Sequence, residues 1–255
     1  MTDYLVETAL FTHGLVSVSN REISEQWDLP DARFAWLKEG KLVIGSLDEY
    51  LSVRERAAEM RRFDAGELES SEREGLTGVL TASAAMVMCS RLGVPVAVTC
   101  GMGGVGPRPS LGVGADLTAL AKLPVVMIAT APKDVFDLAS SVGWLKTARV
   151  RILGVGKSYA DGFLMKRPPV ELDGCLDQAP IKAPLLILNP LPASERVVNR
   201  RQMELAMECG NSASANGGEY HPAVNNKLDQ LTGGMTSRIQ LRAIIANARL
   251  ATSLT

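Results

Sequence analysis

A lysine stands where its side chain could do covalent chemistry. Lys133 follows the apolar run 125–130, in the segment Ala131-Pro132-Lys133-Asp134 where a helix is predicted to begin. An ammonium group in a first helical turn meets the positive end of the helix dipole, which predicts a lowered pKa for the Lys133 amine. A neutral amine can attack a carbonyl carbon and form a Schiff base. A plain surface lysine at a helix start is the alternative.

Glu7 is the second chemically unusual residue. It lies in an otherwise apolar first strand that contains Leu5, Val6 and 9–11. A carboxylate is costly to bury without a partner, and burial raises its pKa. The pattern therefore favours Glu7 as a general acid or base.

Two polar residues at predicted element boundaries have structural as well as functional interpretations. Asp116 precedes the helical run 117–121, where an aspartate is a natural N-cap. Asn189 lies between an apolar run and Pro190, a setting that also suits a turn. Both alternatives remain open from the residues alone.

The segment Gly101–Gly106 has the formal pattern G-x-G-x-x-G, which cradles a dinucleotide when it opens a helix. Pro107 and Pro109 follow at once, so the required helix is not predicted and a dinucleotide site is disfavoured. A glycine-rich loop that brings its backbone, including Gly103 and Gly104, close to another ligand is the expectation that remains.

Apolar runs and amphipathic segments alternate along the chain. The predicted strands are the first strand around Glu7, Lys41–Gly45, 96–99, 125–130, 150–154 and 185–189, and the predicted helices are 76–92, 116–122, 133–147, 196–209 and 236–253. This order predicts one α/β domain over 1–255, an α/β/α sandwich with a mostly parallel central sheet and ligands at the carboxyl ends of its strands. The charged stretch 54–74 is interpreted as solvated and without function, and 210–218 as a flexible connector.

Composition narrows the function classes. The 255 residues are 46% hydrophobic with a net charge of −1, so a core is available and a basic surface for nucleic acid is not predicted. The longest uncharged runs, 75–90 and 92–107, are too short and polar to span a membrane. The start Met1-Thr2-Asp3-Tyr4 does not look like a secretion signal, and the four cysteines form no C-x-x-C pair, so we expect a cytoplasmic protein.

Several segments together resemble the pseudouridine-5′-phosphate glycosidase family. Glu7–Gly14 is similar to the family's E-S-T-I-I-S-H-G, and Thr99–Val105 to its T-G-G-I-G-G-V. Ala115-Asp116-Leu117 and Ala131–Val135 resemble A-D-L and G-A-K-S-I, with the same 17-residue interval from Asp to Lys. Similar stretches later in the chain are Asn189–Pro192 for N-P-I-P and the segments 231–234 and 247–251 for L-T-G-G and N-N-A-x-x-A. The similarity therefore extends over nearly the whole chain.

The resemblance implies a fold and a set of roles. Members of this family make or break the carbon–carbon bond between ribose 5-phosphate and a base, and they are trimers. By resemblance, Lys133 is the nucleophile that forms an imine with the sugar, and Glu7 is the acid/base. The expected substrate-binding residues are Asp116, Thr99, Asn189, Gly103, Gly104, Arg108 and His13.

The departures from the family pattern predict an altered substrate. The family's metal-binding aspartate in D-I-S-A-D-L falls on Gly112 and its serine on Gly114, so the Mn²⁺ site is expected to be lost and no cofactor is predicted. The histidine of G-G-V-H-R falls on Gly106, and Arg108 is a candidate substitute. A substrate-binding lysine of the family has no counterpart in 76–81.

Three functions follow from these observations. The first is a lysine-dependent C-glycoside lyase or synthase that joins a sugar phosphate to a base or aromatic acceptor in specialised biosynthesis. The second is a Schiff-base enzyme for a different small carbonyl compound. The third is a catalytically silent relative that binds a metabolite.

Overall fold

A computed structural model describes residues 3–106, 112–178 and 181–255. The strands are β1 (Tyr4–Val6), β2 (Arg33–Lys38), β3 (Lys41–Gly45), β4 (Arg61–Phe63), β5 (Gly78–Leu80), β6 (Val96–Val98), β7 (Gly101–Met102), β8 (Val126–Ala129), β9 (Ala131–Pro132), β10 (Arg151–Gly154), β11 (Tyr159–Ala160), β12 (Val170–Glu171) and β13 (Leu185–Leu188). The α-helices are α1 (Ala9–His13), α2 (Asn20–Gln26), α3 (Leu47–Arg54), α4 (Leu68–Arg73), α5 (Ala82–Leu92), α6 (Ala115–Lys122), α7 (Leu138–Thr147), α8 (Arg200–Ala215), α9 (Tyr220–Leu231) and α10 (Met235–Leu254).

Nine of these strands form one mostly parallel sheet, which confirms the predicted α/β class. The order is β10-β13-β8-β6-β1-β2-β5-β4, and β3 pairs with β2 beside this path. The six strands from β10 to β2 run parallel, while β5 is antiparallel to β2 and parallel to β4. The carboxyl ends of β1, β6 and β8 consequently meet at one edge of the sheet, next to each other.

Apolar side chains cover both faces of the sheet. Alternate residues of β1 divide between two core clusters, with Leu5 in one and Tyr4 and Val6 in the other. Helix α10 contributes Ile244 to the second of these clusters, and α5 contributes Met86 to the first. Each fully buried aliphatic side chain contributes roughly 1.5–3 kcal/mol of transfer free energy. The continuous apolar runs of the sequence reflect this burial on two sides.

The segment Lys41–Gly45 forms a strand, but it is antiparallel to β2 and partly exposed, unlike the other predicted strands. The reason is the two-residue turn between them. Glu39 and Gly40 both have positive φ, 51° and 73°, and such a turn matches the twist of a tight hairpin.

Two predicted helices begin later than expected. Residues 78–80 form β5 rather than the start of the helix predicted over 76–92, and α5 begins at Ala82. The helix predicted over 133–147 begins at Leu138, with Asp137 as its N-cap. Lys133 therefore lies before the helix, and the helix-dipole argument for its pKa was wrong.

The glycine-containing connector predicted over 210–218 is mostly helical. Helix α8 continues to Ala215, and Asn216 to Glu219 make the turn into α9. Gly210 fits inside α8 because it faces α9, where a Cβ atom would lie 2.6 Å from a methyl of Val224. Within the described ranges, no helix is long and apolar enough to cross a membrane.

Candidate active site

The candidate site lies where the central parallel strands end. Glu7 directly follows β1, and its backbone N–H donates to the carbonyl of Val98 at 3.0 Å. Thr99 directly follows β6. Ligand sites of open α/β sheets form at this edge, so the sequence prediction of its location is consistent with the geometry.

Glu7 is buried, with 6% of its surface exposed, and it is held in place by Thr99. The Thr99 hydroxyl donates to Glu7 Oε1 at 2.6 Å. Burial raises the pKa of Glu7 to about 7, against the opposing effects of the Lys133 charge and the Thr99 hydrogen bond. A carboxyl group with this pKa is populated in both protonation states near neutral pH, as proton transfer requires.

Lys133 is positioned by a second, short parallel ladder. The segments that follow β6 and β8 pair with each other again as β7 and β9, in which Gly101 lies opposite Ala131. The backbone N–H of Lys133 then donates to the carbonyl of Met102 at 2.9 Å. The lysine thus extends from a strand end, and this hydrogen bond holds its backbone in place.

Two glycines of the 101–106 loop make room for site side chains. A Cβ atom on Gly101 would lie 2.9 Å from Cγ of Lys133, and one on Gly104 would lie 2.7 Å from Cβ of Phe136. Contacts this short are not tolerated, so glycine is required for the close approach. The loop serves the packing of Lys133 and Phe136.

Asp116 is the second residue of α6, and Gly114 is the N-cap, so the predicted capping role of Asp116 was wrong. Its carboxylate instead joins two other segments. Oδ1 accepts the backbone N–H of Ser83 at 2.8 Å, in the first turn of α5, and Oδ2 accepts that of Gly103 at 2.6 Å.

A cavity of about 160 Å³ opens above these residues. Its polar lining includes Glu7, His13, Arg62, Asp64, Ser83, Gly103, Asp116, Lys133, His221 and Asn225. Five of the nine predicted site residues therefore share one cavity: Lys133, Glu7, Asp116, Gly103 and His13. Arg108 lies outside the described residues.

Three other predicted residues stand behind the described part of the cavity wall. Thr99 supports Glu7, and Gly104 packs against Phe136. Asn189 donates to Oδ1 of Asn247 at 3.0 Å. Asn247, which is fully buried on α10, donates in turn to the carbonyl of Thr99 at 2.7 Å. These contacts connect α10 to the strand ends.

Strand β4 and the residue after it supply two cavity residues that the sequence analysis missed. Arg62 and Asp64 line the cavity, so the interpretation of the whole stretch 54–74 as solvated was wrong. The segment is charged because β4 is the last strand of the sheet and partly exposed. Strand β4 lies beside β5, with Arg62 opposite Val79. Segment 76–81 lacks the substrate-binding lysine of the family, and Arg62 on the neighbouring strand places a cation at the cavity instead.

Helix α9 provides the opposite wall, which sequence reasoning also missed. His221 and Asn225 line the cavity, and Arg62 forms an ion pair of 2.9 Å with Glu219, the residue before α9. Burial and the nearby charges of Lys133 and Arg62 lower the pKa of His221 to about 3. The sequence carried no clear signal for this wall, because His221 and Asn225 lie on a helix of mixed composition far from the other site residues.

Asp134, next to Lys133, is buried and anchors a loop. Its carboxylate accepts the backbone N–H groups of Phe163, Leu164 and Met165 at 2.8–3.2 Å. Burial raises the pKa of Asp134 to about 6 despite these hydrogen bonds. The loop places the Phe163 ring against Gly101, on the same side as Lys133.

A divalent cation does not fit the described residues of this site. Among 3–106, 112–178 and 181–255, no three His, Cys, Asp or Glu side chains are grouped so that they could hold a metal. Both oxygens of Asp116 already accept backbone N–H groups, and Gly112 and Gly114 offer no side-chain ligand. The loss of the family's metal site stays a prediction.

Comparison with known families agrees with this geometry. The family described as "Indigoidine synthase A like protein" matches residues 6–255. The chain belongs to this family. Its curated relatives include a pseudouridine-5′-phosphate glycosidase of Thermus thermophilus, 29% identical over 96% of this chain and 94% of the relative. Another, from Thermotoga neapolitana, is 25% identical over 96% and 92% of the two chains. The resemblance to the pseudouridine-5′-phosphate glycosidase family that was seen in the sequence is thereby confirmed.

Two solved structures share the fold of this chain. An indigoidine synthase A-like protein from Thermotoga maritima superposes with a TM-score of 0.80 at 23% identity, over 99% of this chain and 91% of that one. A prealnumycin C-glycosynthase in complex with ribulose 5-phosphate gives a TM-score of 0.75 at 22% identity, over 97% and 88%. The mostly parallel, curled sheet flanked by helices is thus common to all three proteins.

Proposed function

We propose that this protein makes or breaks a C–C bond between the anomeric carbon of ribose 5-phosphate, or a related sugar, and a base or aromatic acceptor, in specialised biosynthesis. A Schiff base on Lys133 is the intermediate. The observation that carries the proposal is the presence of Lys133 and Glu7 in one cavity, close enough for the lysine charge to lower the pKa of the carboxyl group.

In the cleavage direction, the neutral Lys133 amine attacks the anomeric carbon of the C-glycoside. The bond from this carbon to the ring oxygen breaks, and the oxygen takes a proton from Glu7. The attacking nitrogen then gives a proton back to Glu7. The C–C bond breaks toward the base, whose carbon takes that proton, while the nitrogen lone pair forms the iminium with the sugar carbon. Water hydrolyses the iminium to the sugar aldehyde and returns the Lys133 amine.

Synthesis follows the same steps in reverse. The amine and the sugar aldehyde condense with loss of water, and an electron-rich acceptor carbon attacks the iminium. The acceptor then loses its proton to Glu7, which passes it to the Lys133 nitrogen. A sugar hydroxyl displaces the protonated amine as the ring closes and gives its own proton to Glu7. The iminium is needed in both directions. In cleavage it is the electron sink without which a carbon group leaves poorly, and in synthesis it is the electrophile that the acceptor carbon attacks.

Glu7 suits both proton transfers because its pKa is near neutrality and its Oε1 is oriented by Thr99. The opposite oxygen, Oε2, makes no hydrogen bond in the described part of the chain. We assign proton transfer to the Glu7 carboxyl group and positioning to Thr99.

Arg62 is the cavity side chain best suited to the sugar phosphate. A guanidinium binds phosphate through paired N–H donors, and Arg62 lines the cavity from β4. Its partner Glu219 is half exposed and belongs to the turn before α9, so a phosphate can replace that carboxylate. Arg108 was the candidate from the sequence, and Arg62 is a second candidate from the structure.

An assay of both directions tests the proposal. The protein is incubated with pseudouridine 5′-phosphate, or with ribose 5-phosphate and a panel of bases and phenolic acceptors, and C-glycosides are identified by mass spectrometry. We expect turnover in at least one pair, abolished in Lys133→Ala and kept in Lys122→Ala, which alters a lysine at the end of α6. Turnover by Lys133→Ala at the wild-type rate would refute the Schiff-base mechanism.

A further inference from the structure

The polar side chains of the cavity differ in whether the protein already satisfies them. Glu7 and Asp116 accept hydrogen bonds from neighbouring protein groups, and Asp64 accepts two backbone N–H groups from the turn just before α4. His221 and Asn225, by contrast, form no hydrogen bond with any residue of the described ranges. Polar groups that line a cavity without a protein partner are available to a ligand.

His221 and Asn225 act from one face of α9. They are four residues apart, so their side chains are neighbours on the helix surface. Both line the main cavity together with Lys133, and both also line a small adjoining hollow that Lys133 borders. This face of α9 is therefore beside the carbon that would be bound to Lys133.

The chemistry of this face is uncharged. Burial and the two neighbouring cations keep the imidazole of His221 neutral at any physiological pH. A neutral imidazole and a carboxamide each present one hydrogen-bond donor group and one acceptor group. They match a carbonyl, N–H or hydroxyl group, whereas a phosphate requires cations such as Arg62.

The face is also bordered by aromatic rings. The ring of His221 lies 5.6 Å from that of Phe136, at an interplanar angle of 44°, and Phe136 lines the cavity as well. Tyr220 packs edge-on to the other side of His221, at 5.3 Å and 85°. Flat apolar surfaces next to unsatisfied donors and acceptors favour a planar ring that carries polar substituents.

Building on the proposed function, we infer that His221 and Asn225, with Phe136 beside them, form the subsite for the acceptor. The ligand class is an uncharged planar ring that bears a carbonyl group together with an N–H or O–H group. The subsite selects the acceptor, and Arg62 and Lys133 hold the sugar phosphate.

Titration with two ring probes tests the subsite without requiring turnover. Uracil and a hydroxynaphthoquinone are titrated into the whole protein in the presence of ribose 5-phosphate, and binding is followed by ligand-observed NMR. We expect at least one probe to bind wild type, and His221→Phe and Asn225→Leu to weaken that binding tenfold or more. Asn226→Leu is the matched control, because Asn226 is the neighbouring, exposed residue of α9. Thermal melts establish that each variant is folded.

The possible outcomes separate the subsite from the Schiff-base chemistry. Imine formation between Lys133 and ribose 5-phosphate, trapped by borohydride, needs no acceptor and should be the same in wild type and both α9 variants. Probe binding that is unchanged in His221→Phe and Asn225→Leu, or absent from wild type at millimolar concentration, overturns the subsite alone. A shifted dependence of trapping on ribose 5-phosphate in these variants assigns the face to the sugar and also overturns it. Absence of trapping in wild type, with probe binding as expected, contradicts the proposed function and leaves the subsite standing.

Discussion

The two walls of the cavity are built in different ways. On the sheet side, Glu7 and Lys133 follow strands whose backbone positions are fixed by parallel ladders, and Thr99 and Asn247 form hydrogen bonds behind them. On the other side, the α8–α9 pair presents His221 and Asn225 without hydrogen-bond partners in the described ranges. In the proposed mechanism, the sheet side performs proton transfer and covalent chemistry, and the helical side recognises the acceptor.

This difference has a physical basis. Groups that react must hold their geometry to within a fraction of an ångström, which strands and supporting hydrogen bonds provide. Groups that recognise a substrate need free donors and acceptors. His221 and Asn225 are only partly buried, so their side chains can be changed without altering the core residues of α9 that pack toward the sheet. We therefore expect changes on the sheet side to reduce turnover and changes on the α9 side to alter substrate choice.

The largest effect is expected for Glu7→Gln. The amide keeps the size of the side chain and can still accept from Thr99, but it cannot transfer a proton. We expect kcat to fall by roughly 10² or more, the usual contribution of a positioned acid/base. Steady-state assays from pH 5 to 9 should also show loss of the pH dependence near 7. A near wild-type kcat in this variant would show that Glu7 has a structural role only, and would contradict the assignment of proton transfer to the sheet side of the cavity.

A smaller effect is expected at Arg62. Loss of a charged hydrogen bond to phosphate costs about 1.5–3 kcal/mol, which is roughly a 10- to 100-fold increase in KM for the sugar phosphate. We expect this increase in Arg62→Met with little change in kcat. Arg61→Met is the control, because Arg61 is the exposed neighbour on the same strand. If Arg62→Met and Arg61→Met had equal KM values, a different cation would bind the phosphate, and Arg108 would be the first candidate.

The stability of the protein should report the burial of Glu7. Its pKa is raised from 4.5 in the unfolded chain to about 7 in the folded protein, so folding favours the protonated form. This contribution is fully present below pH 4.5 and is lost as the pH rises through 7. Glu7→Gln has no such loss, and we expect it to gain up to roughly 3 kcal/mol over wild type between pH 4 and pH 8. Urea unfolding at pH 4 and pH 8 measures the free energy of unfolding of both proteins. If the difference between Glu7→Gln and wild type were the same at both pH values, the expected contribution of Glu7 would be contradicted.

The smallest effect, no change at all, is expected from chelation. Asp116 already binds two backbone N–H groups, and the segment 101–115 carries no acidic side chain. Turnover should therefore survive excess EDTA. Loss of activity that Mn²⁺ specifically restores would show that another oxygen cluster holds a metal.

The sequence was sufficient to predict the mostly parallel sheet and six of its nine strands, but not β2, β4 or β5. It also singled out Glu7 and Lys133, whose catalytic roles stay a prediction. Uninterrupted apolar runs identify strands buried on both faces, and Glu7 and Lys133 are each adjacent to such a run. It could not reveal the pairing of β7 with β9, because two-residue strands have no periodicity, and the Lys133 segment was consequently interpreted as a helix start. Backbone position, not helix capping, is what places this lysine.

The α9 wall and β4 were beyond sequence reasoning for a different reason. His221 and Arg62 are about 160 positions apart, and their meeting depends on how the α8–α9 pair packs against the last strand of the sheet. A charged strand at the edge of a sheet resembles a solvated segment by composition. Only the tertiary fold shows that one side of it faces a cavity.

Trapping of the lysine adduct tests the central claim most directly. The protein is incubated with ribose 5-phosphate, reduced with borohydride, digested and mapped by mass spectrometry, with Lys122→Ala and Lys133→Ala in parallel. We predict one modified peptide that carries the reduced sugar phosphate on Lys133, present in Lys122→Ala and absent from Lys133→Ala. An adduct on a different lysine, or an equal adduct in Lys133→Ala, would contradict the assignment of Lys133 as the nucleophile.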